Sequence, residues 1–223
     1  MFDLGSVEER NVIPIPMGHP SDSGIGVSGW FMKEVKAHNP TDKAGWSVEF
    51  AFEYRGERTT NGVPHKGAKF SHREFDPMFQ VEDPNALTDK DKTRIEGVQR
   101  RIKHILGRFI EAEKIDKIKT PTFEALVKLL VDRLPQYIAN VECTLKLVYN
   151  GKYAAFPLYP DFISTEFSPK MFKYDPQYDK LDRQEPRPSA APTGGSDMVE
   201  AQAFAGGDDS QAVVAEGDDD NPF

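Results

Sequence analysis

The sequence predicts a mainly β fold with a helical insertion, followed by a long polar tail. Three observations lead there: apolar residues alternate in the runs before residue 55 and after residue 140, a helical period replaces that alternation in between, and from Pro186 the chain turns to Pro, Gly, Ala, Ser and Asp. With 223 residues and 38% apolar content there is material for one core of ordinary size, not for two domains and a tail. The expected division is therefore an N-terminal extension over 1–24, one domain over 25–185 and a disordered tail over 186–223.

The elements follow in order. IGVSGWFMKEVKA (Ile25 to Ala37) reads as a long strand with Ile25, Val27, Phe31 and Val35 inward, and Gly26 and Gly29 permit a bulge. After the turn residues HNPTDKAG comes WSVEFAFEY, in which Trp46, Val48, Phe50, Phe52 and Tyr54 share one face and so predict an antiparallel hairpin with the first strand. The glycine-rich, basic stretch from Arg55 to Phe75 reads as a long loop or irregular strand. Between Thr93 and Lys114 the apolar positions Ile95, Val98, Ile102, Ile105, Leu106 and Phe109 fall on one helical stripe. A second helix is expected from a Thr120 cap with Pro121 at its first position, ending near Pro135. From Val141 to Tyr159 strands return around an Asn150-Gly151 turn, with Val141, Cys143, Leu145, Leu147 and Tyr149 inward. Strands, a helical excursion after the third, then a closing hairpin is the order of an OB-fold-like five-stranded Greek-key barrel, an order that other α+β folds share.

Charge is unevenly placed. The net charge of -8 comes almost wholly from the tail, where eight acids face the single base Arg187, leaving residues 1–185 near neutrality. Within the domain, Arg55 to Arg73 holds Arg55, Arg58, Lys66, Lys69 and Arg73 against Glu57, and the stretch from Asp89 to Lys119 is also basic. Such stretches are either solvated faces or phosphate-binding surfaces.

The chain ends GDDDNPF. A large apolar ring at the end of an acidic tail does nothing for solubility, but a chain end offering a ring and carboxylates suits a pocket that pairs an apolar hole with a basic rim. This ending resembles the acidic, Pro-Phe-terminated tip of bacterial single-stranded DNA-binding proteins, in which an aspartate run precedes Ile-Pro-Phe; Asn221 stands in place of the isoleucine. The layout is also similar to that of bacteriophage single-stranded DNA-binding proteins. The close match covers about seven residues, and the domain itself carries no residue-level match. By resemblance, Asp218, Asp219, Asp220, Pro222 and Phe223 would dock replication, recombination or repair proteins, and the domain would coat single-stranded DNA.

Sequence-tolerant capture of single strands needs cations for phosphates and aromatic faces for bases. The candidate cations are Lys33, Lys36, Arg55, Arg58, Lys66, Lys69 and Arg73; the candidate platforms are Trp30, Phe70, Tyr153 and Tyr159. Trp30 and Tyr153 are equally compatible with the core, since a bulge slips the strand face by one residue. Trp30 and Trp46 are the only tryptophans, so stacking on Trp30 would quench fluorescence directly.

Enzymatic readings find little support. HKGAKFSH and HREFD match no metal-ligand spacing, GIGVSG has the wrong spacing for a nucleotide loop, and the lone Cys143 excludes a disulfide framework, so no catalytic residue, metal or cofactor is expected. The competing reading is an assembly or scaffolding protein without DNA affinity. No apolar run is long enough to span a membrane and the N-terminus lacks signal-peptide blocks, which predicts a cytoplasmic protein. A homo-oligomer is left open.

Overall fold

The computed structural model describes residues 13–18, 25–41, 44–150, 153–157, 161–166 and 172–181. The long first strand is present as β1 (Gly26–His38), but its faces differ from simple alternation. Against its neighbour β6 (Glu142–Lys146) the register steps from Ser28↔Thr144 to Trp30↔Cys143, which leaves Gly29 as an extra residue. Against β2 (Ser47–Tyr54) it steps from Met32↔Phe52 to Glu34↔Ala51, which leaves Lys33 as another. Each extra residue reverses the alternation. Val27, Trp30, Met32 and Val35 therefore all point into the core, and Phe31, expected inside, faces outward opposite Glu53 and Glu142. Gly29 has φ +100°, a conformation that side-chain-bearing residues resist, so the glycine makes the first bulge possible.

The stretch expected to be a long loop or an irregular strand is more regular than its composition suggests. Thr59–Thr60 (β3) and Val63–Pro64 (β4) form a small hairpin over Asn61-Gly62, both with positive φ, and Lys69–Phe75 is a regular strand, β5, paired antiparallel with β2. Its inward residues are Phe70, His72 and Glu74; two of the three are polar, which hid the alternation.

Helix α1 (Asp89–Leu106) starts four residues before the expected Thr93, because Thr88 and Asp91 cap each other reciprocally, and it ends at Gly107 instead of running to Lys114. The remainder becomes the short α2 (Ala112–Asp116). Helix α3 (Phe123–Arg133) is capped by Thr122, whose hydroxyl accepts from Ala125 N, not by Thr120. Pro135 opens another short helix, α4 (Pro135–Ile138), instead of ending the helical segment. Val98, Ile102, Ile105, Leu106, Val127, Leu130 and Ile138 join the inward sheet residues in one buried cluster.

After β6 come β7 (Val148–Asn150) and β8 (Tyr153–Ala155), paired as the expected hairpin with Asn150 opposite Tyr153, so the connection is residues 151–152, which lie outside the described residues, not 150–151. A last short strand, β9 (Ile163–Ser164), pairs antiparallel with β6. The main sheet is thus five-stranded and antiparallel, in the order β5-β2-β1-β6-β9. Among the described residues it is an open sheet and not the closed barrel expected: no ladder joins its edge strands β5 and β9. Rings span the gap instead, with Phe70 4.9 Å from Phe156 and His72 6.4 Å from Phe162 between centroids.

Residues 172–181 form a strap across the outward side of β1 and β6. Phe172 is buried beside Gly26, where an added Cβ would come within 2.6 Å of the ring, and its carbonyl accepts from Ile25 N at 3.2 Å. Farther along, Lys146 donates to the carbonyl of Lys173 at 2.9 Å, and Tyr149 N donates to the carbonyl of Lys180 at 2.6 Å. The tail expected from residue 186 lies outside the described residues, as do residues 1–12.

Candidate nucleic-acid interface

The outward face of β1, β2 and β5 gathers five of the seven cations singled out in the sequence: Lys33, Lys36, Arg55, Lys69 and Arg73. The strand register sets their order. Lys69 lies beside Glu53, which lies beside Phe31; two residues along, Ser71 lies beside Ala51; then Arg73 lies beside Glu49, which lies beside Lys36. Bases and acids therefore alternate across the strands.

Most of these cations are held by carboxylates. Glu53 lies 3.5 Å from both Lys33 and Arg55, Lys36 pairs with Glu34 at 3.0 Å, and Arg73 and His38 both reach Glu49 at 2.8 Å. Burial pushes the Glu49 carboxyl up, but hydrogen bonds and charge from Arg73 and His38 prevail and hold it below the ordinary carboxylate range. The hydrogen bond and charge of Glu34 likewise raise Lys36. The pairs of Lys33, Lys36 and Arg55 are exposed, and such pairs contribute only about 0 to 1 kcal/mol each, so a polyanion can displace those carboxylates at little cost.

Phe31 is the aromatic of this face, and sequence alternation placed it on the other side. It is half-buried, and the Arg55 guanidinium lies over its ring at 4.6 Å from the centroid. Cation and ring are together the two groups a single strand requires. The signal that could have located it was the Gly29 bulge permitted by the sequence, counted as one reversal of the face.

The proposed platforms Trp30 and Phe70 are not on this surface. They are 0% and 3% exposed, inside the core, where Trp30 packs edge-on to Tyr54 at 5.3 Å and to Phe70 at 6.3 Å. Neither can stack on a base without unpacking the sheet, and quenching of Trp30 would not report stacking. Tyr153 is half-buried on the separate β7–β8 ribbon, and Tyr159 lies outside the described residues. Arg58 is exposed but donates to the carbonyl of Met17 at 3.1 Å, so it holds the 13–18 segment. His65 does the same from inside: Nδ1 donates to the carbonyl of Pro14 at 2.6 Å, and Nε2 sits 2.8 Å from the Thr60 hydroxyl. Lys66 is exposed beyond the β3–β4 hairpin and outside the sheet face. Asp218, Asp219, Asp220, Pro222 and Phe223 lie outside the described residues.

The inward histidine and acid of β5 have a structural partner. Glu74 takes a bidentate pair from Arg101 of α1, Nε at 2.5 Å and Nη2 at 3.0 Å, and His72 Nε2 at 2.8 Å, all in the interior. Among the described residues no group of His, Cys, Asp and Glu is arranged to hold a metal. Burial pushes the Cys143 thiol up to about 12, which makes it a core side chain and a poor nucleophile. No helix among the described residues is long and apolar enough to cross a membrane. Comparison of the chain with protein-family models, curated proteins and solved structures finds no match.

Proposed function

We propose that this protein binds single-stranded DNA without sequence preference, coating and protecting it in the cytoplasm during replication, recombination or repair, and recruits partner proteins through its acidic C-terminal tip. One observation carries the reading: the outward face of β1, β2 and β5 carries Lys33, Lys36, Arg55, Lys69 and Arg73 on the same side as the half-buried ring of Phe31, with Arg55 over that ring. The sheet order supports it. The open antiparallel sheet β5-β2-β1-β6-β9, with the helices between its third and fourth strands in sequence and Phe70, Phe156 and Phe162 packed between its edges, has the strand order of an OB-type Greek key. Bases stack on Phe31 once Arg55 swings off the ring to a phosphate, Lys33, Lys36 and Arg73 exchange their carboxylates for the backbone, and the exposed Lys69 adds a further cation. The sequence of the tip, through its resemblance to the tips of single-stranded DNA-binding proteins, supports the recruiting role of Asp218, Asp219, Asp220, Pro222 and Phe223.

The test is fluorescence anisotropy of a labelled oligothymidylate as salt is raised. Neutralising about five phosphates predicts a log–log salt slope of about −3.5, since single strands contribute about 0.7 per phosphate. Absence of binding in dilute buffer overturns the proposal in favour of an assembly or scaffolding role. Deleting Asp218 to Phe223 is expected to leave or increase DNA affinity and to abolish capture of partner proteins.

A further inference from the structure

We infer that the strap, residues 172–181, is a second stacking station for the same single strand, with Tyr174 and Tyr178 as its platforms. The inference rests on the reading above and deepens it: the strand's path does not end at Phe31 but continues along β1 onto the strap.

The strap lies on the correct face. Gly26, Thr144 and Lys146 alternate with the inward residues Val27, Cys143 and Leu145, so they point outward, as Phe31 does after the Gly29 bulge. The strap covers these outward positions: Phe172 lies over Gly26, where an added Cβ would meet the ring at 2.6 Å and the Thr144 methyl at 2.8 Å, and Lys146 holds the carbonyl of Lys173 and the carboxylate of Asp179. From Phe31 to Gly26 the sheet advances four residues of β6, about 13 Å, because Gly29 is the extra residue of the bulge. Between the two lies the half-buried Ser28, whose hydroxyl is 2.7 Å from that of the buried Thr144.

The strap is also built to hold rings outward. Asp175 N donates to Asp179 Oδ2 at 2.7 Å, Asp179 N donates back to the Asp175 carbonyl at 2.7 Å, and Gln177 N donates to Asp175 Oδ1 at 2.9 Å, which closes one tight turn. The carboxylate that closes the turn is the one paired with Lys146, so turn and sheet are fixed together. Of the three strap aromatics, Phe172 is the buried anchor, while Tyr174 and Tyr178 are 39% and 53% exposed, flanked by the exposed Lys173 and Lys180. Two outward rings on a fixed turn, with cations at either end, repeat the chemistry of Phe31 and Arg55.

Because single-strand site sizes run from about 4 to 16 nucleotides, an oligothymidylate of about 4 residues can occupy one station and one of about 16 can reach both. The double variant Tyr174→Ala/Tyr178→Ala is expected to weaken the longer oligomer about tenfold or more, leave the shorter one unchanged and leave thermal unfolding unchanged, while Tyr174→Phe/Tyr178→Phe keeps wild-type affinity. In the wild-type protein the longer oligomer, and not the shorter, should protect both tyrosines from nitration. Wild-type affinity of the alanine variant for the longer oligomer, or absence of protection, overturns the second station and leaves the Phe31 face standing. Failure of the wild-type protein to bind either oligomer overturns both.

Discussion

Lys146 Nζ lies 2.8 Å from Asp179 Oδ2, with the two side chains 9% and 0% exposed, so a strand of the main sheet and the strap share a buried ion pair. A buried pair contributes little over an apolar pair of the same shape, yet removing one member strands the other charge in a medium that cannot solvate it. Asp179→Ala is therefore expected to cost about 3 to 5 kcal/mol, while the double replacement Lys146→Met/Asp179→Leu stays near the wild type. Urea denaturation of the two variants checks the difference.

Glu74 ties β5 to α1 through Arg101. Burial pushes its carboxyl up, but the hydrogen bonds and charges of His72 and Arg101 outweigh burial and bring it below the ordinary 4.5. A carboxylate depressed in the folded state contributes stability that is present above its unfolded value and lost as pH falls through its folded one. Stability is thus expected to decline as pH drops below about 4.5, and Glu74→Gln to flatten that part of the acid limb while lowering stability at neutral pH by about 3 to 5 kcal/mol. Urea midpoints measured from pH 7 down to pH 3 show whether it does.

Gly29 makes the bulge that turns Trp30 inward. At φ +100°, an added Cβ would meet Gly56 Cα and Tyr54 Cε2 at 3.0 Å each. Gly29→Ala is expected to destabilise the protein by about 1 to 3 kcal/mol and to red-shift tryptophan emission as Trp30 loses its packing. Emission spectra read alongside thermal unfolding check both effects.

On the outward face, Phe31 and Glu53 act in opposite directions. Phe31→Ala removes the platform and is expected to weaken oligothymidylate binding by about 1 to 3 kcal/mol. Glu53→Gln releases Lys33 and Arg55 from their shared carboxylate and is expected to strengthen binding by about 1 kcal/mol or less in dilute salt, an advantage that fades as salt rises. Anisotropy titrations at two salt concentrations separate the two variants.

Much of this protein was determined by local sequence. The alternation of WSVEFAFEY, the helical stripe from Val98 to Leu106 and the strand around Cys143 each follow from a period written in consecutive residues, and they locate β2, α1 and β6, although the bounds of α1 shift by four residues at its start and eight at its end. The acidity of the tail and its terminal phenylalanine are likewise visible in the chain itself. The cations of the candidate face are also visible in the chain as basic residues, with Lys69 and Arg73 four residues apart and so on one face of a strand.

Tertiary structure decided which aromatic meets solvent. Period-two reasoning assumes an unbroken strand, but β1 has extra residues at Gly29 and Lys33, and each reversal depends on what the neighbouring strand can pair with. That is why Phe31 and Trp30 exchanged faces. The regularity of β5 did not show because two of its inward residues are polar, His72 bonded to Glu74 and Glu74 in turn to Arg101, from a helix well over twenty residues away. The place of the strap on the sheet depends on Lys146 and Asp179 meeting across the fold. Periodicity is a property of neighbours in the chain, whereas bulges, buried ion pairs and packed straps are properties of neighbours in space.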